Sequence, residues 1–176
     1  NHVNPVYGAN GLCDRQQSSD VTGVLSTTGV LLCQQEIPLP ATKAAIDAAA
    51  RAEVVVVLDP APVRQVPDGF YDSVTVLTPN QGEASTMSGI EVTDAVSARS
   101  AASAIRNLGT ETVIVTLGDQ GAWVESYGIS ELLDPFDVPV VASVAAGDAF
   151  NGGLGVGIAS GMDLLDAAWL GMASGA

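Results

Sequence analysis

The sequence predicts an α/β fold, a doubly wound, mainly parallel sheet flanked by helices. Three observations carry this. "EVVVVLD" (53–59) is a continuous β-branched run, the pattern of a strand covered on both faces. Strand-like and helix-like segments alternate, joined by short connections. No repeat, low-complexity tract or linker breaks that alternation, so one partial domain over 1–176 is expected, with an irregular or truncated start over 1–23.

The elements follow in order. "VLSTTGVLLC" (24–33) reads as a buried strand entered through a turn. "PATKAAIDAAARA" (40–52) is alanine-rich, and Pro40 suits a first helical turn. The strand at 53–59 comes next, then a loop carrying the Asp68-Gly69 turn signal. "SVTVLTPN" (73–80) is a strand ending at Pro79. Helices are expected at 81–88 and 94–108, the second closed by Gly109. "ETVIVTLG" (111–118) is a strand, and "GAWVES" (121–126) alternates so as to form a hairpin with it. A loop and a short strand "PVVAS" (139–143) lead to helices at 147–160 and 163–175. Gly153, Gly157 and Gly161 recur every fourth residue, which predicts close helix packing.

Composition narrows the function. Hydrophobic residues are 47% and charged residues 15%, which supplies a core and argues against disorder. Net charge is −14, from 20 acids and 6 bases. That argues against nucleic-acid binding and against docking on anionic membranes. The bases are Arg15, Lys43, Arg51, Arg64, Arg99 and Arg106, so any phosphate bound by the closing helices must rely on backbone N–H groups, helix N-termini and a metal ion. Cys13 and Cys33 form no CxxC and fit a reducing, cytoplasmic setting. No basic segment followed by an apolar run opens the sequence, so no secretory signal is expected, and no uninterrupted apolar run reaches membrane-spanning length. The opening "NHVNPVYGANG" resembles neither a translation start nor a domain boundary, and a fragment of a longer chain is expected. His2 is the single histidine, which argues against a Ser-His-Asp triad or a histidine metal site. There is no GxxxxGK[ST] loop.

Chemistry-bearing stretches fall at strand ends, where open α/β sheets bind ligands. In "SVAAGDAFNGG", Ala145, Ala146 and Gly147 are small enough for their N–H groups to face an anion at a helix N-terminus. Asp148, in the first turn, either complements the helix dipole or accepts a proton from a hydroxyl attacking a phosphoryl group. In "TPNQGE", Asn80 and Glu83 form either a capping box or a hydrated Mg²⁺ site. In "TLGDQG", Thr116 and Gly118 either contact a nucleotide phosphate or only end a strand. Glu36, in "QQEIPLP", either binds sugar hydroxyls or is a solvated loop acid. All four fall on one sheet edge, as a phosphotransferase needs.

These stretches resemble the ribokinase-like (PfkB) carbohydrate kinases. "TPNQGEASTMSGI" is similar to their Asn-x-x-Glu magnesium motif, "TVIVTLGDQGAWV" to their nucleotide-binding strand and turn, and "AAGDAFNGG" to their C-terminal signature. "LLCQQEIPLP", "VVVLDPAP" and "GAN" (8–10) resemble the ribokinase branch. The resemblance runs from about Gly8 to the end. It implies that Asp148 is the base and that Ala145, Ala146 and Gly147 supply anion-hole amides. It further implies that Asn80 and Glu83 position Mg²⁺, that Thr116, Gly118 and Asn151 sit on the ATP side, and that Glu36 touches the sugar.

The implied reaction is transfer from Mg-ATP to the primary hydroxyl of a pentose, D-ribose first. Adenosine, deoxyribose or a hexose are the alternative acceptors, and a truncated or degenerate non-catalytic binding module is the alternative outside catalysis. Ala142, Ser143 and Val144 stand where the family carries an Asp-Thr-Thr-like triplet, whose Asp helps bind a monovalent cation, which calls K⁺ activation into question. Asp119, Gln120 and Met172 also depart from the family's usual residues. Against that family the chain lacks the N-terminal third, with its di-glycine sugar motif and β-lid, and the last adenine-side loop and helix. A homodimer of the full-length protein is compatible with the resemblance, but the lid interface is absent here. The 176-residue chain alone is expected to be weak or inactive.

Overall fold

A computed structural model describes residues 8–139 and 144–176. Six strands form one sheet in the order β1 (Val30–Cys33), β2 (Val55–Leu58), β3 (Val76–Leu77), β4 (Thr112–Thr116), β5 (Ala122–Ser126) and β6 (Ile129–Leu133). The first four run parallel, with Val30 against Val55, Val57 against Val76, and Val76 against Thr112. β5 pairs antiparallel with β4, and β6 pairs antiparallel with β5.

Strand alternation divides the core. Val56, Leu58, Leu77, Val113 and Val115 point to one face, where they pack on α3 (Leu39–Arg51), α4 (Gln81–Ser88) and α5 (Ala95–Arg106). Val57, Val76 and Ile114 point to the other, against Phe150 and Leu154 of α6 (Ala146–Ala159) and Ala167 and Ala168 of α7 (Leu164–Gly175). Both faces are covered, which is why the central strands read as unbroken apolar runs. The α/β sheet flanked by helices is as the sequence predicts.

Local chemistry sets the element ends. Asp94 and Ser97 form a capping box at the start of α5, and α4 stops at Gly89 in the left-handed region. α6 holds several glycines, so tertiary packing rather than helix propensity sustains it. Gly153 and Gly157 face α7: a Cβ on Gly157 would lie 2.8 Å from the Ala167 Cα. Gly161 does not share that role. It follows the helix with φ +78° and nothing near it.

The expected strand at 24–33 is shorter. Thr22–Leu25 is a helical turn, α2, and the Thr27 and Thr28 hydroxyls both donate to the Val24 carbonyl. Those bonds close the turn before the sheet begins at Val30. Within the start expected to be irregular, Arg15–Asp20 forms a short helix, α1. Asp14 Oδ1 accepts from the Gln16 and Gln17 N–H groups, and Gln17 Oε1 accepts from the Asp14 N–H. β6 was not expected. It follows β5 through Tyr127 and Gly128, the latter at φ +75°. Of the strand expected at 139–143, residues 140–143 lie outside the described residues.

Candidate active site

The carboxyl ends of β1, β2, β3 and β4 open on one edge, and the N-terminus of α6 faces the same edge. Gln34 and Glu36 leave β1, Asp59 leaves β2, Thr78 and Asn80 leave β3, and Gly118 leaves β4. A groove of about 810 Å³ lies beside α6. Thr116, Gly118, Ala146, Gly147, Phe150 and Met172 are among its lining residues, and none of those residues is a Lys or Arg. Phe136, also in its wall, meets Trp169 edge-on at 5.3 Å.

Ala145 precedes α6 at φ +63°, a left-handed conformation that costs a residue bearing a Cβ about 1–2 kcal/mol. No side chain caps this helix start. Its first N–H groups are therefore left for solvent or a ligand.

Asp148 is the third residue of α6 and is exposed. Its Oδ1 accepts a 2.9 Å hydrogen bond from Gln34 Nε2. Asp148 faces the β1 exit, whereas Ala146 and Gly147 line the groove. The helix start thus stands between two compartments, the groove on one side and Gln34 with Glu36 on the other.

Asp59 is the residue the sequence reading missed. Its Oδ1 accepts from the Ala61 N–H at 3.1 Å, and its Oδ2 accepts from Asn151 Nδ2 at 3.2 Å. Burial, then the Glu83 carboxylate, push its pKa from the ordinary 3.8 to about 7, with smaller contributions from Asp148 and Glu36 and against the Ala61 N–H. A carboxylate directly after a buried β-branched run was the available signal. Gln34 was also missed, since nothing in "QQE" separates the two glutamines except strand alternation.

Asn151 is buried and lies away from the groove lining. It accepts from the Thr78 hydroxyl at 2.8 Å and donates to Asp59, tying α6 to the exits of β2 and β3. Asn80 and Glu83 form the capping box: Asn80 Oδ1 accepts from the Glu83 N–H at 3.0 Å, and Glu83 Oε2 accepts from the Asn80 N–H at 2.9 Å. Burial raises the Glu83 pKa, and its bonds with Asn80 lower it.

These residues suit a hydrated divalent cation better than a dehydrated one. Among the described residues no three His, Cys, Asp or Glu side chains gather closely enough to ligate an ion directly. Yet Glu83 and Asp148 lie near enough to Asp59 to push its pKa up, and all three offer oxygen. Mg²⁺ keeps several waters and binds through one or two carboxylates plus phosphate, which fits this donor set.

The model of the pfkB family of carbohydrate kinases matches residues 14–176. The chain belongs to the pfkB carbohydrate kinase family. It is 37% identical over 146 residues to a ribokinase of Haemophilus influenzae, covering 83% of this chain and 48% of that one. A ribokinase from Thermotoga maritima superposes with a TM-score of 0.83 at 31% identity, over 96% of this chain and 55% of that one. An Arabidopsis thaliana ribokinase complexed with ribose and ATP superposes with a TM-score of 0.79 at 26% identity, over 89% of this chain and 51% of that one. The chain thus spans about half the length of the curated relatives it matches.

Proposed function

We propose that this chain carries the nucleotide side and the catalytic base of an ATP-dependent sugar kinase acting on the primary hydroxyl of a pentose, D-ribose first. The observation that carries the reading is the uncapped start of α6. It presents Ala146 and Gly147 to the groove and Asp148 to the β1 exit.

The residues divide the work. ATP lies in the groove along Thr116 and Gly118. The N–H groups of Ala145, Ala146 and Gly147 meet the γ-phosphoryl oxygens, where the helix dipole and backbone donors favour negative charge. Asp148 accepts the proton of the sugar hydroxyl as that oxygen attacks, and its neighbour Gln34 occupies one carboxylate oxygen while leaving the other open. Glu36, exposed after β1, accepts hydrogen bonds from the remaining sugar hydroxyls in this reading. Glu83 and Asn80, with Asp59 behind them, hold the waters of Mg²⁺. That ion would neutralise phosphate charge in a site whose own side chains are acidic. A cytoplasmic setting and a single domain fit this reading, as does a soluble sugar and nucleotide as ligands. Among the described residues no helix is long and apolar enough to cross a membrane.

The test is phosphoryl transfer by the protein as its gene encodes it, with Mg-ATP and ribose, deoxyribose, adenosine and fructose as acceptors. Ribose is expected to give the highest kcat/KM. Preference for another acceptor moves the assignment within the family, and transfer to none of them, with ATP still bound, leaves a non-catalytic binding module.

A further inference from the structure

We infer that Gln34 is a positioning residue for Asp148, holding the carboxylate of the base by one oxygen from the neighbouring strand. The inference rests on the reading of Asp148 given above. Gln34 is the only side chain among the described residues that hydrogen-bonds Asp148.

The backbone of Gln34 is fixed on both sides. The Asp59 N–H donates to the Cys33 carbonyl at 2.9 Å, and the Gln35 N–H donates to the Ala61 carbonyl at 3.0 Å. Strand alternation then decides where its side chain goes. Cys33 packs with the α3 side of the core and Gln35 is fully buried, so Leu32 and Gln34 belong to the α6 side.

The separation of helix and strand is set by small residues. Asp148, Gly155 and Ala159 lie seven and four apart, one stripe of α6. A Cβ on Gly155 would sit 3.0 Å from the Leu32 Cδ2, and one on Gly29 would sit 3.4 Å from the Ala159 Cβ. α6 therefore lies close enough on β1 for a glutamine amide to reach Asp148 without backbone distortion.

The choice of an amide has consequences. It donates without charge, so it orients the carboxylate while drawing less on its basicity than Lys or Arg would. It also adds no further negative charge to a site where Glu83, Asp148 and Glu36 already bear on Asp59. With Oδ1 engaged, Oδ2 is the oxygen presented to the sugar hydroxyl.

The experiment compares Gln34→Leu, Gln34→Asn, Gln34→Glu and Asp148→Asn in the protein as its gene encodes it, measuring kcat, KM, the pH profile of kcat and the Kd for Mg-ATP. Gln34→Leu and Gln34→Asn, which remove or shorten the donor, are expected to lower kcat about tenfold with the Kd for Mg-ATP within twofold of wild type. Gln34→Glu places two carboxyl groups at hydrogen-bond distance, which cannot both ionise freely, so its kcat is expected to rise only at a higher pH than in wild type. A merely structural role would alter Kd and kcat together and leave the pH profile in place. Wild-type kcat and pH profile in the Gln34 variants, alongside an inactive Asp148→Asn, overturn the inference while the reading of Asp148 stands. Full turnover by Asp148→Asn, or no transfer by wild type, removes that reading and the inference with it.

Discussion

Asp59 shows how a single residue can couple the site to stability. Its pKa is about 7 in the folded chain against an ordinary 3.8, because burial and neighbouring carboxylates disfavour the charged form. In the unfolded chain it releases its proton at the lower value. Folding is therefore unaffected below about pH 4, loses stability as pH rises toward 7, and levels off above that. Asp59→Asn removes the titration. Its unfolding free energy is expected to match wild type near pH 4 and to exceed it at pH 8 by an amount on the order of 2 kcal/mol once partial exposure is allowed for, with a higher thermal midpoint at pH 8. Equal pH dependence of the two proteins in a thermal-melt series would rule this out. The Cys33 thiol is pushed up to about 12 by burial and then by Asp59, so thiol reagents are expected to spare it in the folded state.

At this scale the sequence showed residue types but not directions. Asp148, Ala146, Gly147, Thr116 and Gly118 were legible because their stretches combine small residues with a strand end. Asn151 was legible only as a member of a stretch, and its side chain turned out to bridge Thr78 and Asp59. Asn80 and Glu83 satisfy the capping reading in full, and that geometry leaves a water-mediated cation role open to them. Gln34 and Asp59 depend on neighbours 114 and 92 residues away, beyond any local pattern.

Among the elements, α6 and its contact with α7 hold the candidate base in place. Gly157→Ala gains helix propensity of about 1 kcal/mol, but its Cβ would meet the Ala167 backbone at 2.8 Å. Overpacking wins, and the variant is expected to lose about 1–3 kcal/mol in urea unfolding. Gly152→Ala is the paired case, since a Cβ there meets nothing within 4 Å. It is expected to gain up to about 1 kcal/mol. A loss at Gly152, or a gain at Gly157, would contradict the packing described.

Elements with strong periodicity were legible, including α3, α4, α5, β2 and the β4–β5 hairpin. The first part of the strand expected at 24–33 was lost to hydroxyl bonds that close a helical turn. α1 was hidden because it is a polar segment without an apolar stripe, held at its start by the bonds between Asp14 and Gln17. β6 was missed because Glu131 and the short turn before it masked its alternation.

For the whole molecule, charge and openness decide what the site can do. The net charge is −14, and no Lys or Arg follows Arg106. The groove proposed for ATP has no cationic side chain along its lining. Removing divalent cations with EDTA is therefore expected to weaken ATP binding at least about tenfold, read by calorimetry with and without Mg²⁺. Equal affinity in both conditions would contradict that account. Asp148, Gly147 and Glu36 are exposed in this chain, so efficient transfer needs a further element to exclude water.

The direct test of the account is the comparison of Asp148→Asn with wild type, in turnover of ribose with Mg-ATP and in the Kd for Mg-ATP. The account predicts a fall in kcat of about 10²–10⁴-fold with Kd unchanged, because the base faces the β1 exit and the nucleotide lies in the groove. Retained turnover in Asp148→Asn, or loss of ATP binding together with activity, would contradict it.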